Sequence, residues 1–208
     1  MRTHSKETQS SLTPETAFQI LKEGNQRFVK NLKANRNLLQ QVNETSSGQF
    51  PFATILSCMD SRTSAELIFD QGLGDIFSIR IAGNILNEDI LGSMEFATKV
   101  VGTKIILVLG HSKCGAIIGA CNNVELGNLT GLLKKIQPAI DGEKTTAADR
   151  TGNNADFVKR VTENNVHLTI EKIRQESTIV SALEQSGAIK IVGGVYDVET
   201  GEVVFYEE

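Results

Sequence analysis

A thiol, a carboxylate and a guanidinium follow one another at two-residue intervals in Cys58-Met59-Asp60-Ser61-Arg62, and an imidazole and a second thiol stand three apart in His111-Ser112-Lys113-Cys114-Gly115. Two thiolates and an imidazole are soft-to-borderline ligands that suit Zn²⁺. His111 and Cys114, at i and i+3 across a strand-to-helix turn, can chelate one ion. Asp60 and Arg62 point the same way on an extended segment, so the guanidinium can hold the carboxylate bidentately and set its direction. Beside a metal, that carboxylate could orient a metal-bound hydroxide or become a ligand itself. Taken singly, each residue reads as a buried cysteine, a satisfied loop histidine or a surface ion pair. Their grouping at the ends of two similar apolar runs is what argues for a site. Cys121, His167 and His4 lack that context and read as packing, structural or solvated residues.

The elements that must position these groups are two buried strands. Residues 52–57 and 104–109 are short apolar runs that end abruptly in the polar motifs. If they are parallel neighbours, Cys58, His111 and Cys114 converge at their carboxyl ends, where open α/β sheets place ligand sites. Further strands are expected over 76–81, 188–192 and a C-terminal hairpin ending in Val203-Val204-Phe205-Tyr206. Helices are expected over 63–70, 88–101, 114–120, 128–137 (ended by Pro138) and 156–183, the last broken at Ser177-Thr178. Thr13-Pro14-Glu15 starts an N-terminal helical arm over 13–35 with the stripe Phe18, Leu21, Phe28 and Leu32. Residues 1–12 are expected to be flexible and 33–50 to be a connector. The alternation predicts an α/β fold: a mainly parallel central sheet flanked by helices, with an antiparallel C-terminal strand addition, all in a single domain over 1–208.

The 208 residues carry a net charge of −4 and a pI near 5.5, with basic residues scattered, which argues against a nucleic-acid partner. No apolar run approaches the roughly 18 residues of a membrane span, and the first residues lack the apolar core of a secretory signal. Three cysteines without disulfide-rich spacing fit a reducing, cytoplasmic setting. Gly110 to Gly115 sit between a strand and a helix as a P-loop does, but Ala116-Ile117 follow where that loop needs Lys and Ser or Thr, so nucleotide binding is set aside.

The paired motifs Cys58-x-Asp60-x-Arg62 and His111-x-x-Cys114-Gly115 resemble the signatures of the β-class carbonic anhydrases. The resemblance extends from Gly24-Asn25-Gln26-Arg27-Phe28 through Arg80-Ile81-Ala82-Gly83-Asn84 to Gly194-Val195-Tyr196-Asp197, most of the chain. It implies one Zn²⁺ per subunit on Cys58, His111 and Cys114. It further implies Asp60 and Arg62 as the catalytic pair, with Asp60 a possible fourth ligand in a closed state, and Gln49, Phe77 and Gly115 at the substrate. In the family the Gln equivalent to Gln49 reaches the partner subunit's site, so a homodimer or dimer-of-dimers (homotetramer) is implied. The activity implied is reversible hydration of CO₂ to bicarbonate and a proton, by attack of zinc-bound hydroxide. Ile55 stands where some pH-gated members carry the Trp of a bicarbonate-binding regulatory site. Two other readings stay open at this point: hydrolysis of carbonyl sulfide or carbon disulfide, as in some relatives, and a zinc protein without turnover.

Overall fold

The computed structural model describes residues 3–206 of the chain. Two helices come first, α1 (Lys6–Ser11) and α2 (Pro14–Val29). Each opens with a capping box in which the hydroxyl of Ser5 or Thr13 accepts from the third helical amide, and Thr8 or Thr16 reaches back to the cap. The expectation of a flexible 1–12 is corrected by α1. Gln9 is buried and its amide donates to the carbonyls of Pro51 (2.7 Å) and Val101 (3.2 Å), which ties the helix to the body. Residues 1 and 2 of that expectation lie outside the described residues. α2 stops at Val29, short of the arm expected to reach 35, and Asn31 takes a left-handed φ of +53°. Phe18 and Leu21 bury against Phe52, Ile68 and Phe69 of the same chain, whereas Leu32 lies past the helix and is exposed. Gly24 permits this contact, since a Cβ there would lie 1.8 Å from the Phe69 carbonyl oxygen.

The expected connector contains α3 (Leu38–Thr45), which escapes a periodicity reading because Gln41, not an apolar residue, faces the body while Leu38, Leu39 and Val42 are exposed. There follow β1 (Ala53–Ser57), α4 (Ala65–Ile68), β2 (Ile76–Arg80), a 3₁₀ turn (Ala82–Asn84) and α5 (Glu88–Glu95), which runs into a π turn (Phe96–Val101). Then come β3 (Ile105–His111), α6 (Gly115–Cys121), α7 (Gly127–Lys134), α8 (Gln137–Gly142), α9 (Ala155–Glu176), α10 (Thr178–Gln185), β4 (Lys190–Tyr196) and β5 (Val203–Tyr206). Pro138 does not end a helix. It sits in the first turn of α8, where its missing N–H costs nothing. Ser177 does break α9 from α10, and its hydroxyl caps α10 by accepting from the Val180 N–H.

The sheet order is β2-β1-β3-β4-β5, parallel except for the antiparallel β4–β5 pair. β1 and β3 are buried throughout, which is why they read as unbroken apolar runs. β3 runs two residues further than expected, because Gly110 and His111 still pair with Val195 and Tyr196 of a lengthened β4. α2 and α4 pack on one face of the sheet, and α5, α9 and α10 on the other. From β1 the chain goes to β2 on one side, and β3 lies on the other. The resulting crevice opens at the carboxyl ends of β1 and β3.

Asp70 fastens the segment after α2 to the body. Its carboxylate accepts from Arg27 Nε (2.6 Å), Arg36 Nη1 (2.6 Å) and the Ala34 N–H (3.0 Å). Burial alone would raise its pKa; these bonds more than reverse that and hold it below the ordinary carboxylate value. Asp70→Asn should therefore lower stability in urea unfolding at pH 7 by about 3 kcal/mol. A depressed pKa contributes stability above the unfolded value of about 3.9 and loses it as pH falls through the folded value, so the gap between the two proteins should close on acidification.

Candidate metal centre

Cys58 follows the last residue of β1, His111 is the last residue of β3, and Cys114 is the N-cap of α6. Parallel pairing of β1 with β3 brings the three together, and their ligand atoms lie within 4.8 Å of one another, all buried. The two Sγ atoms are 3.9 Å apart, close to the about 3.8 Å that a tetrahedral centre with Zn–S near 2.3 Å requires. His111 Nδ1 lies 2.9 Å from the Ser112 carbonyl and must donate to it, so the neutral ring carries its lone pair on Nε2. Nε2 is buried and has no hydrogen-bond partner among the described residues. An orphaned imidazole nitrogen facing two close thiols is the chemistry of a zinc donor set, and the residues fit the ion.

The electrostatics favour a thiolate here even before a metal is considered. The Cys114 S–H donating to Cys58 Sγ pulls the Cys58 thiol well below its ordinary value, against burial, with help from His111 and the Gly83 and Asp60 amides. The same bond, then burial, pushes Cys114 up. Cys121 is pushed up to about 11 by burial, packs in the cluster beneath α6 and takes no part in the site, as the sequence reading has it.

Asp60 is turned to Arg62. Its Oδ1 accepts from the Arg62 N–H (2.9 Å) and Nε (2.9 Å), and its Oδ2 from Nη2 (2.7 Å). The bidentate pair holds the Asp60 carboxyl far below the usual carboxylate range. Oδ2 also comes within 3.9 Å of His111 Nε2, so the carboxylate borders the donor set without joining it.

Three residues that carry the geometry were not singled out as functional from the sequence. Arg80 donates to the carbonyls of Cys58 (3.2 Å) and Asp60 (2.6 Å), and the Thr63 hydroxyl donates to the same two (3.0 and 2.9 Å). Gly83 donates its N–H to Cys58 Sγ at 3.4 Å. The signal available was positional: Arg80 and Gly83 flank the carboxyl end of the strand beside β1.

Gly115 begins α6, and a Cβ there would meet nothing within 4 Å, so the space beside the donor set is open on that side. Gln49 precedes β1, whereas Cys58 follows it, so the length of the strand separates them within one chain. Phe77 pairs with Thr54 rather than at the carboxyl end, packs against Phe96 (6.4 Å between ring centroids) and lines a cavity of about 580 Å³ with Ile79, Asp89 and Gly92.

Comparison with known proteins agrees with this geometry. The carbonic anhydrase family profile matches residues 53–203. Carbonic anhydrase 2 of Mycobacterium tuberculosis is 34% identical over 199 residues, covering 92% of each chain. Among solved structures, the β-carbonic anhydrase CcaA superposes with a TM-score of 0.71 at 25% identity, covering 92% of this chain and 88% of its own. One of two tetrameric β-carbonic anhydrases from Sordaria macrospora gives a TM-score of 0.69 at 21% identity, covering 81% and 90%.

Removing one sulfur should dismantle the centre without unfolding the sheet. Purified Cys58→Ser and Cys114→Ser proteins should contain only a small fraction of the wild-type zinc by elemental analysis, while Cys121→Ser retains it in full.

Proposed function

Because the chain belongs to the β-class carbonic anhydrase family, a zinc enzyme family that interconverts CO₂ and bicarbonate, we propose that it works with an open metal site, Asp60 and Arg62 being its catalytic pair and a second subunit completing the substrate pocket. The observation that carries this is Asp60 held by Arg62 beside three, not four, protein donors among the described residues. A structural zinc site closes with four protein ligands; a catalytic one keeps a position free. Zn²⁺ bound by Cys58, His111 and Cys114 supplies the Lewis acidity that lets water lose a proton near neutral or mildly alkaline pH.

The remaining work falls to the chain's own residues. Asp60 stays ionised because of Arg62 and accepts a hydrogen bond from the attacking water through Oδ2, the oxygen nearer the donor set. That bond turns a lone pair toward the carbon of CO₂. Arg80 and Thr63 keep the Cys58–Asp60 backbone still while this happens. The opening beside Gly115 admits a small apolar substrate. Gln49 of the partner subunit donates to a substrate oxygen, and Phe77 contributes an apolar wall to the pocket.

The shared site is supported by the distance of Gln49 from its own Cys58 along β1, and by exposed apolar side chains at the β2 edge of the sheet and nearby, including Leu67, Phe96 and Val100. The α2 stripe gives no such support, since Phe18 and Leu21 are buried on their own chain. A homodimer or a dimer of dimers fits, as in the tetrameric Sordaria macrospora enzymes. We place the protein in the cytoplasm and treat 1–208 as one domain: Cys58, Cys114 and Cys121 are all free, and one sheet carries the site. Among the described residues no helix is long and apolar enough to cross a membrane.

Stopped-flow CO₂ hydration on zinc-assayed protein tests the assignment, with turnover expected at pH 7 and at pH 9. Asp60→Asn and Arg62→Leu should retain zinc and lose about 10²–10³-fold in kcat. Zinc-loaded protein inactive at both pH values would overturn the open-site reading.

The shared pocket is tested by subunit mixing. Gln49→Ala and Cys58→Ser proteins, each weakly active alone, should regain about a quarter of the wild-type rate after refolding as a 1:1 mixture, because half the dimers then hold one intact site. Absence of recovery in a mixture shown to contain heterodimers would remove Gln49 from the partner's site.

A further inference from the structure

The Gly83 peptide group faces the metal donors without being a ligand. The Gly83 N–H donates to Cys58 Sγ at 3.4 Å, from a residue with left-handed φ of +67°. A side chain is excluded there on two counts, the φ and a Cβ that would lie 2.9 Å from Ile136 Cδ1. Glycine is also the residue least able to hold its own dihedral angles, so something else must keep this N–H on the sulfur.

The next peptide plane is gripped at both ends. The Asn84 N–H donates to the Ile81 carbonyl (3.0 Å), and Asn165 Nδ2 donates to the Gly83 carbonyl (2.9 Å). Asn165 is a buried residue of α9, a 22-residue helix seated directly on the sheet. The seat is made of glycines: a Cβ on Gly110 would lie 2.9 Å from Val166 Cγ2 and 3.2 Å from Thr162 Cγ2, and one on Gly193 would lie 2.8 Å from Val166 Cγ1. Gly110 is the neighbour of His111. One turn of α9 therefore rests on the strand that carries His111 and presents Asn165 to the turn that faces Cys58.

We propose that Asn165 is a positioning residue of the metal centre, acting through the Gly83 peptide on the Cys58 sulfur. An N–H directed at a thiolate draws charge from it and fixes its direction, and outer contacts of this kind govern metal retention. Without the Asn165 amide, the buried Gly83 carbonyl lacks its donor and the glycine rotates to find another, carrying the N–H off the sulfur. The proposal rests on the zinc reading of Cys58, His111 and Cys114.

The test follows zinc itself, in the absence of substrate. Asn165→Leu removes the donor at similar volume, and Asn165→Gln keeps an amide. Ile173→Val weakens the same helix away from the turn. Two quantities are read on each protein: the rate of zinc loss to a coloured chelator, and the thiolate-to-metal charge-transfer band of the Co²⁺-substituted form. Asn165→Leu should lose zinc about 10–100-fold faster with a shifted band. Asn165→Gln should stay closer to wild type than Asn165→Leu, and Ile173→Val should keep the wild-type rate and band despite a lower Tm. Wild-type retention and an unmoved band in Asn165→Leu would overturn the proposal, as would equal acceleration in Asn165→Leu and Ile173→Val, or Asn165→Gln behaving as Asn165→Leu does. Wild-type protein that binds no zinc would instead overturn the metal centre, and this role with it.

Discussion

Parallel pairing of β1 with β3 is the constraint on which the rest of the molecule depends. The register sets Ser57 opposite Leu109, so the residues just beyond, Cys58 on one strand and His111 on the other, emerge side by side. No local interaction could do this across a gap of some fifty residues of chain. It is achieved by burying both strands completely between two helical layers, where an unpaired backbone N–H or C=O would be costly and register slip would turn every side chain to the wrong face. The convergence of the donor set thus follows from sheet hydrogen bonding.

Around that donor set the protein arranges hydrogen-bond donors. The Cys58 thiolate and the Asp60 carboxylate concentrate negative charge at the mouth of the crevice. Arg62 answers the carboxylate, the Gly83 amide answers a thiolate, and Arg80 with Thr63 satisfies the carbonyls of the turn between them. Arg62 is half-exposed, so its pairing with Asp60 contributes little to global stability. Its consequence is directional: two-point contact with the guanidinium turns the carboxylate away from the three donors.

The N-terminal third of the chain has a different task. α1 is tied by Gln9 to backbone carbonyls, and α2, whose apolar stripe is buried, is further tied by Asn25 to the Ile68 and Gly201 carbonyls and by Arg27 to Asp70, which also pairs with Arg36. These anchors close one face of the sheet yet leave α3 with its apolar residues outward.

How much of this is legible without coordinates follows from the range of the forces involved. Cys58, Asp60, Arg62, His111 and Cys114 declare themselves because metal and carboxylate chemistry admits few residue types, and the two motifs each end an apolar run that can only be a buried strand. The break at Ser177 is legible as well, since capping is a contact between residues three apart. α1 and α3 are not, because what holds them is Gln9 or Gln41 reaching residues more than thirty positions away, and polar anchors leave no hydrophobic period. Pro138 misleads for a related reason: its ring is compatible with either side of a helix boundary, and packing chooses. The contacts of Thr63 and Asn165 belong wholly to the tertiary structure, and Arg80 and Gly83 have in the sequence only their position beside β1. Sequence by itself determined which atoms could hold the metal, because donor chemistry is a property of side chains. Only the fold decided which backbone amide faces the sulfur, and from which helix it is held, because those contacts join peptide groups that every residue possesses and exist only once α9 has settled on the sheet.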